Sequence, residues 1–414
     1  MENSKGIIKE LNLIAILIIS ALPVTLLLGS GIINLFIVIL DIIFIIELTL
    51  RKNIRFFKNN FFYFLIFFWL ILIINLFFSI NIGQSIPRSL GFIRFIFFAF
   101  AINYYLMGDN KYKYLVFKAW TIIFVIISCD LIFEYIVGTN TLGFKSYMPG
   151  RLSGFLNQEL KIGHLYSALM LICLSYIFLK LKNSKLITKN FIFKLFEKNI
   201  FYIILIIFLF ISVMIGERSN FMRTLIMSLI FLFLFENKNS LKKIISIFIG
   251  VTLITLLVIN NADYKDRFWR TFLNPILTDP ISMLSKGQYG DHYKVAIEVF
   301  QNHKMMGVGL KNYRKEVLKD AYSKNPSIHP HQVHLEVLSE IGIIGYISFF
   351  ILFAYSLFFS IKNYFKEKNI FQLSGILFVT VSLFPFIPTG SFFTTYGATL
   401  FWLNFGLMLP KRTS

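Results

Sequence analysis

Long apolar runs separated by short polar connectors set the rhythm of this chain. The runs fall at about 11–29, 31–50, 61–80, 91–107, 114–138, 162–181, 199–215, 220–236, 244–260, 341–361, 371–387 and 394–410. A membrane-spanning helix needs about 20 mostly apolar residues, so the pattern predicts an all-α, polytopic transmembrane bundle of twelve helices. One connector is out of scale. Residues 261–340 form a loop far longer than ordinary connections, with Trp269, Tyr289 and an amphipathic stretch over about 291–302. That composition predicts a folded, helix-containing cap. The chain therefore divides into 1–260 (helices one to nine), 261–340 (the large loop) and 341–414 (helices ten to twelve).

Charge orients the bundle. The net charge is +20, yet the basic residues sit mainly in alternate connectors, which argues against nucleic acid as a partner. Arg51, Lys52, Arg55 and Lys58 fill one connector, Lys111 and Lys113 the next of the set, and Lys180, Lys182, Lys185, Lys189, Lys194 and Lys198 a third. Lys238, Lys242 and Lys243 follow, then Lys362, Lys366 and Lys368, and finally Lys411 and Arg412. All face one side if both termini are cytoplasmic, as the positive-inside rule demands. The first run follows Lys5 and Lys9 without a small-residue cleavage site and is expected to stay as an anchor. With 57% hydrophobic residues, 15% charged and 50 Phe, the chain holds more apolar surface than a soluble domain of this length can bury. Cys129 and Cys173 both fall in apolar runs and are expected to be small core residues.

The chemistry gathers on the other side. All six histidines (His164, His292, His303, His329, His331 and His334) map there. In the segment 328–345, Pro330 is expected to open a helix that puts His331 and His334 on one face at the bilayer lip. Histidine is the natural base near neutral pH. The plain alternatives are two interfacial polar side chains, or a metal site of His329, His331 and His334. Gly216-Glu217-Arg218 sits at the junction of the seventh and eighth runs, with Arg223 one turn on. Arginine suits phosphate oxygens, and one at that depth needs a cavity or a partner. The alternative is a Glu217–Arg218 loop ion pair, with Arg223 reaching to the interface. Asp41, Arg94, Asp130 and Glu134 lie within spans, as transport pathways or as structural partners of Arg94 or Arg151. No Walker loop or dinucleotide fingerprint is present, and no cofactor is expected.

Three blocks resemble the O-antigen ligase and O-antigen polymerase superfamily of bacterial inner-membrane glycan transferases. They are Gly216-Glu-Arg-Ser219, the helix 293–300 with Met305-Met-Gly-Val-Gly-Leu310, and Pro330-His-Gln-Val-His-Leu-Glu-Val-Leu-Ser-Glu-Ile-Gly-Ile-Ile-Gly345. The resemblance implies a GT-C-like architecture with the 261–340 loop periplasmic, and glycosyl transfer without ATP or metal. Its partners would be an undecaprenyl-pyrophosphate glycan, lipid A–core or a growing glycan, and membrane lipids. By position it implies His331 as the base and Arg218 on the donor pyrophosphate, joined by Arg223, His292 and Arg151, with Glu217, His334 and Glu340 in support. Two positions depart from the family pattern. Gln332 follows the histidine where the family has Asn, and His292 stands where a loop arginine is usual. Ligase action is favoured over polymerase action, and a lipid-linked oligosaccharide transporter is the alternative from another class.

Overall fold

A computed structural model describes residues 2–157, 159–183, 191–235, 240–279, 288–319, 322 and 327–411. Of the basic connector residues above, Lys185, Lys189, Lys238 and Arg412 lie outside the described residues. Every regular element among those described is helical. The helices used below are α1 (Glu2–Leu28), α2 (Ser30–Leu50), α3 (Asn60–Asn75), α4 (Ile82–Gly91), α5 (Ile93–Ile102), α6 (Lys113–Val137), α7 (Ile162–Asn183), α8 (Phe191–Met214), α9 (Arg218–Phe235) and α10 (Ser240–Asn260). In the outer segment α11 covers Gln288–Asn302, and the chain returns through α12 (Val333–Glu367), α13 (Ile370–Ser382) and α14 (Thr395–Met408).

Each predicted run coincides with a helix, though not each helix has the length of a span. Among the described residues eight helical stretches, one of them α4 and α5 taken together to Met107, are long and apolar enough to cross a membrane, which marks a multi-pass membrane protein. α13 is shorter, and α14, at 14 residues, would rise only about 21 Å at 1.5 Å per residue. The packing shows why α14 is apolar nonetheless. It is buried on almost every side, with Gly406 against the carbonyl of Ala99 and Gly375 of α13 against the backbone of Asn404 and Met408. α14 is a central core helix, and its apolarity reflects protein neighbours as much as lipid. Cys173 is buried as expected, but Cys129 is exposed on α6, because an apolar run facing lipid has no need to point every small residue inward.

The bundle has two chemically distinct ends. At one, Lys411 Nζ meets Asp109 at 2.6 Å and Asn110 bonds Asn12 at 3.3 Å, so the start of α1 and the end of α14 lie together. The histidines occupy the other end. There the polar span residues turn out to hold loops. Asp130 accepts from Thr141 N at 2.9 Å, and Glu134 accepts from the amides of Ser153 (3.0 Å) and Gly154 (2.7 Å). These acids cap the 139–161 loop through backbone amides, so neither serves as the counter-charge of Arg94 or Arg151. Asp41 is buried on α2, with Arg94 as the charge nearest to it.

α12 carries the most consequential irregularity. Gly342 interrupts it at φ 67°. A helix that kinks loses i→i−4 bonds, and the freed groups need new partners. The outer segment supplies them. Val308 N donates to Ser339 O (3.0 Å), Gly309 N to Glu340 O (2.8 Å), and Ile343 N to Lys304 O (2.9 Å). The contact demands glycine on both sides. A Cβ on Gly307 would lie 2.5 Å from the Glu340 carbonyl carbon, and one on Gly342 would lie 2.3 Å from the Met305 oxygen. The same turn is pinned to the α3–α4 junction, where Ile80 N donates to Val308 O (3.1 Å) and Ser85 Oγ to Leu310 O (2.9 Å). The outer segment is thus bolted to the bundle at the base of the histidine-bearing end of α12.

Candidate active site

The segment before α12 does not begin the helix where proline predicts. The helix starts at Val333, and Gln332 caps it by accepting from Leu335 N at 2.8 Å. A side-chain cap that satisfies an orphan amide outweighs the weaker Pro330 signal. His331 is left outside the helix at φ 58°, a left-handed conformation that costs a non-glycine residue on the order of 1–2 kcal/mol. The predicted shared face of His331 and His334 is therefore absent. His334 turns inward, its Nε2 at 2.8 Å from Leu383 O and its Nδ1 at 3.2 Å from the Tyr346 hydroxyl. It ties α12 to the end of α13. His329 and His331 face each other, with ring centroids 4.8 Å apart, so the three imidazoles of the His-x-His-x-x-His stretch do not converge on one point.

His331 is held from three directions. Its carbonyl accepts from Thr389 N at 2.8 Å, which fixes the strained backbone against the loop between α13 and α14. Its ring stacks on His292 of α11 at 5.2 Å and 29°, with Tyr289 at 5.8 Å on the same side. His329 is itself fixed, with Nε2 3.2 Å from Thr389 O and Nδ1 3.9 Å from Glu336 Oε1. Glu336 in turn accepts from the amide of Phe392 at 2.8 Å and from the Ser391 hydroxyl. The amphipathic helix predicted over 291–302 thus forms, and it delivers His292 onto His331.

Three imidazoles this close cannot all be charged. Burial, with His329 and His292 beside it, pushes the His331 imidazole down to about 4. Burial takes His329 to about 4 and lowers His292 as well. At neutral pH the cluster is uncharged, and a neutral imidazole has a lone pair to offer. Acidification works against the stack, because each added proton repels the next.

The arginine corner is built on a glycine. Gly216 has φ 74°, and a Cβ there would sit 1.9 Å from the Gly150 oxygen. That closeness lets Leu152 N donate to Ile215 O at 3.1 Å, and it brings Arg151 onto Glu217 at 2.5 Å. Glu217 is buried and also bonds Asn220. The expected Glu217–Arg218 loop ion pair is therefore replaced by Glu217–Arg151. Arg218 leaves the network for Thr271, its Nη1 3.0 Å from the hydroxyl. Arg223 does not reach to an interface. It is 5% exposed, bonded to Asn220 Oδ1 at 3.1 Å and to the carbonyl of Pro388, while its Nε has no partner. The Gly216→Ala substitution is expected to cost roughly 2–6 kcal/mol through strain and overpacking, seen as a fall in Tm of the detergent-solubilised protein; an unchanged Tm would refute this account of the corner.

Beside the corner lies a cavity of about 450 Å³ whose cationic lining residues are Arg88, Lys161 and Arg223, with His164, Thr389, Gly390, Ser391 and Tyr396 among its other walls. Arg88 enters from α4 and is oriented by a 2.8 Å bond to Phe393 O. The cavity borders the loop that holds His331, since Thr389 belongs to both. A second cationic group flanks the corner, where Arg267 Nε donates to Gly216 O at 3.2 Å. Burial, with Arg151 and Arg218 nearby, lowers Arg267 to about 10, because desolvation and like charges both disfavour the charged guanidinium.

Of the residues predicted from sequence, the structure brings His331 and His292 together, and Arg151, Glu217 and Arg223 into one network. Arg218 sits on the flank with Arg267. Glu340 is set apart from the cavity. It is buried beside the 307–313 turn, where the amides of Lys311 and Tyr313 bond its carboxylate, so it anchors the outer segment. Arg88, Lys161, Glu336 and Tyr396 were not singled out. Arg88 alone had a local signal, as an isolated cation among outer-side residues.

Residues 203–350, about a third of the chain, match the family model described as O-antigen ligase. The matched stretch runs from within α8 through the arginine corner and the outer segment into α12. It contains Arg218, Arg223, His292 and His331, and excludes Arg88, Arg151, Lys161 and the Thr389 loop. Among curated proteins nothing matches the chain.

Proposed function

From a chain whose residues 203–350 match the O-antigen ligase family model, we propose a ligase-type glycosyltransferase that moves a glycan from undecaprenyl pyrophosphate to a hydroxyl of lipid A–core. The proposed location is the periplasmic face of the bacterial inner membrane. The observation that carries the reading is a neutral, triply held His331 sharing the Thr389 loop with a cationic cavity. In the proposed reaction the acceptor oxygen bonds to the anomeric carbon while the bond from that carbon to the pyrophosphate oxygen breaks. His331 takes the acceptor proton. Arg223, Arg88 and Lys161 receive the charge that develops on the leaving pyrophosphate, with Arg151 behind them and Arg218 and Arg267 at the flank. Preorganised charge of this kind is usually the largest catalytic term. Protonating His331 in its resting site is unfavourable, and the new negative charge nearby offsets that cost as the bond breaks. Holding donor and acceptor at one bilayer surface adds proximity.

The test is transfer by purified protein in detergent from undecaprenyl-pyrophosphate glycan to lipid A–core, without ATP or added metal. Glycan on lipid A–core supports the ligase. Extension of the lipid-linked glycan would replace it with a polymerase, and absence of any transfer by folded protein would move attention to transport and Asp41. The pH profile is a second check. The neutral form of His331 is the competent one, and its pKa lies below the ordinary imidazole value. The chemical step is therefore expected to hold its full rate above about pH 5 and to fall as pH drops through about 4. A limb centred near 6.5 would show an imidazole free of the cluster.

A further inference from the structure

The end of the bundle opposite the candidate site carries a second cavity, of about 470 Å³, that the proposed reaction does not use. Its walls come from three places. α1 supplies Lys5, Ile8, Lys9 and Asn12, the end of α2 supplies Arg51, and the turn after α5 supplies Gly108 to Tyr112, with Tyr104 behind. Lys5 and Lys9 are one helical turn apart and share a face. The charges lining it are Lys5, Lys9, Arg51 and Lys111 against Asp109, four positive and one negative, or +3. The one acid is already engaged by Lys411 at 2.6 Å. Arg51 gives its Nε to Glu47 at 2.8 Å, whereas Lys5, Lys9 and Lys111 have no carboxylate partner among the described residues.

Charge repulsion among these groups costs free energy that an anion would relieve. The position says which anion. α1 and α2 continue from the cavity as apolar helices whose outer faces are exposed, with Ile7, Ile14 and Leu17 on α1 and Ile42 and Ile46 on α2. A ligand with a phosphate in the cavity and hydrocarbon along those faces satisfies both surfaces. Soluble anions satisfy only the first. The turn is pre-formed to receive it: Asn110 bonds Asn12 at 3.3 Å, and Lys113 Nζ caps the Gly108 carbonyl at 3.0 Å.

We propose that this cavity, lined by Lys5, Lys9, Arg51 and Lys111, is a binding site for the phosphate headgroup of an anionic phospholipid. The site holds α1, α2 and the 108–112 turn together at the bundle end remote from glycosyl transfer. Lysines near a membrane surface contribute about 1 kcal/mol each toward anionic lipid. The triple variant Lys5→Gln/Lys9→Gln/Lys111→Gln is therefore expected to bind about a hundredfold more weakly.

Native mass spectrometry of the full chain, released from detergent and titrated with phosphatidylglycerol, phosphatidylethanolamine or glycerol 3-phosphate, reads this directly. One phosphatidylglycerol is expected to bind in preference to phosphatidylethanolamine and to be lost in the triple variant. Transfer activity of that variant in detergent is expected to stay at the wild-type level, which also confirms its fold. Equal binding of the two lipids, or undiminished phosphatidylglycerol binding by an active triple variant, would overturn the proposal. Glycerol 3-phosphate competing at equal concentration would overturn the lipid assignment, because it carries the phosphate without the chains.

Discussion

Replacing His331 with alanine is expected to lower the rate of glycosyl transfer by about 10²–10⁴-fold, the usual worth of a positioned general base, while leaving Tm nearly unchanged. The reasons are separable. The imidazole stacks on His292 and meets His329 edge-on, but the backbone at 331 is left-handed, so the wild-type side chain is held at a cost. Glycine suits that backbone better than any residue with a Cβ. His331→Gly is therefore expected to lose transfer as fully as alanine and to match or exceed the wild-type Tm. Differential scanning fluorimetry beside a single-turnover assay decides the matter. Loss of activity with Tm held makes His331 chemical. Loss of both, in glycine as in alanine, would make it a structural residue and remove the mechanism. His292→Ala should act more mildly, by leaving the imidazole less fixed and raising its pKa; an upward shift of the acid limb of the rate profile is the expected sign.

The second large effect is expected at Arg223, and it contrasts with Arg218. Arg223 is buried with Glu217 and Asn220 behind it and the cavity in front. Removing one partner of a buried charge network costs on the order of 3–5 kcal/mol, so Arg223→Ala should lower both Tm and donor affinity. Arg223→Lys keeps the charge but not the planar fork. It is expected to hold most of the stability and to weaken donor binding about tenfold or more, read as a rise in KM for the lipid-linked donor. Among the described residues Arg218 bonds only Thr271 at the flank, so Arg218→Ala should keep Tm and reduce transfer. If Arg218→Ala unfolded the protein while Arg223→Ala did not, the assignment of core and flank would be reversed.

Much of this was legible in the order of residues, for a physical reason. Apolar runs report burial in lipid or protein, and both give helices, so every labelled helix but α4 and the amphipathic α11 follows the hydropathy, α14 included although it proves to be a core helix. The glycines at 216, 307 and 342 were visible as motif letters, but their role is in tertiary contacts between segments distant in sequence. The placement of His331 was obscured because Pro330 signals a helix start, whereas the helix begins at Val333 with Gln332 as its cap, a position without a strong cap signal in the sequence. Arg88, Lys161 and Arg223 line one cavity from three different helices or loops. No spacing rule joins them, since their proximity is a product of the folded bundle. The partner of Glu217 was hidden in the same way. Its neighbour in sequence is Arg218, and its neighbour in space is Arg151.

The back-to-back glycines at 307 and 342 also bear on how such a chain can diversify. Because Lys304, Val308 and Gly309 supply the bonds that the α12 kink gives up, the outer segment is not a cassette that can be exchanged at will. A graft that ends before Lys304 leaves the joint intact, and it keeps the hold on the His331 ring if it retains Tyr289 and His292. One that crosses it must carry its matching half of α12 as well. Changes in the arm between Asn260 and Asn302 that keep Tyr289 and His292 are thus expected to be tolerated, with the joint at Gly307 and Gly342 passed on unaltered.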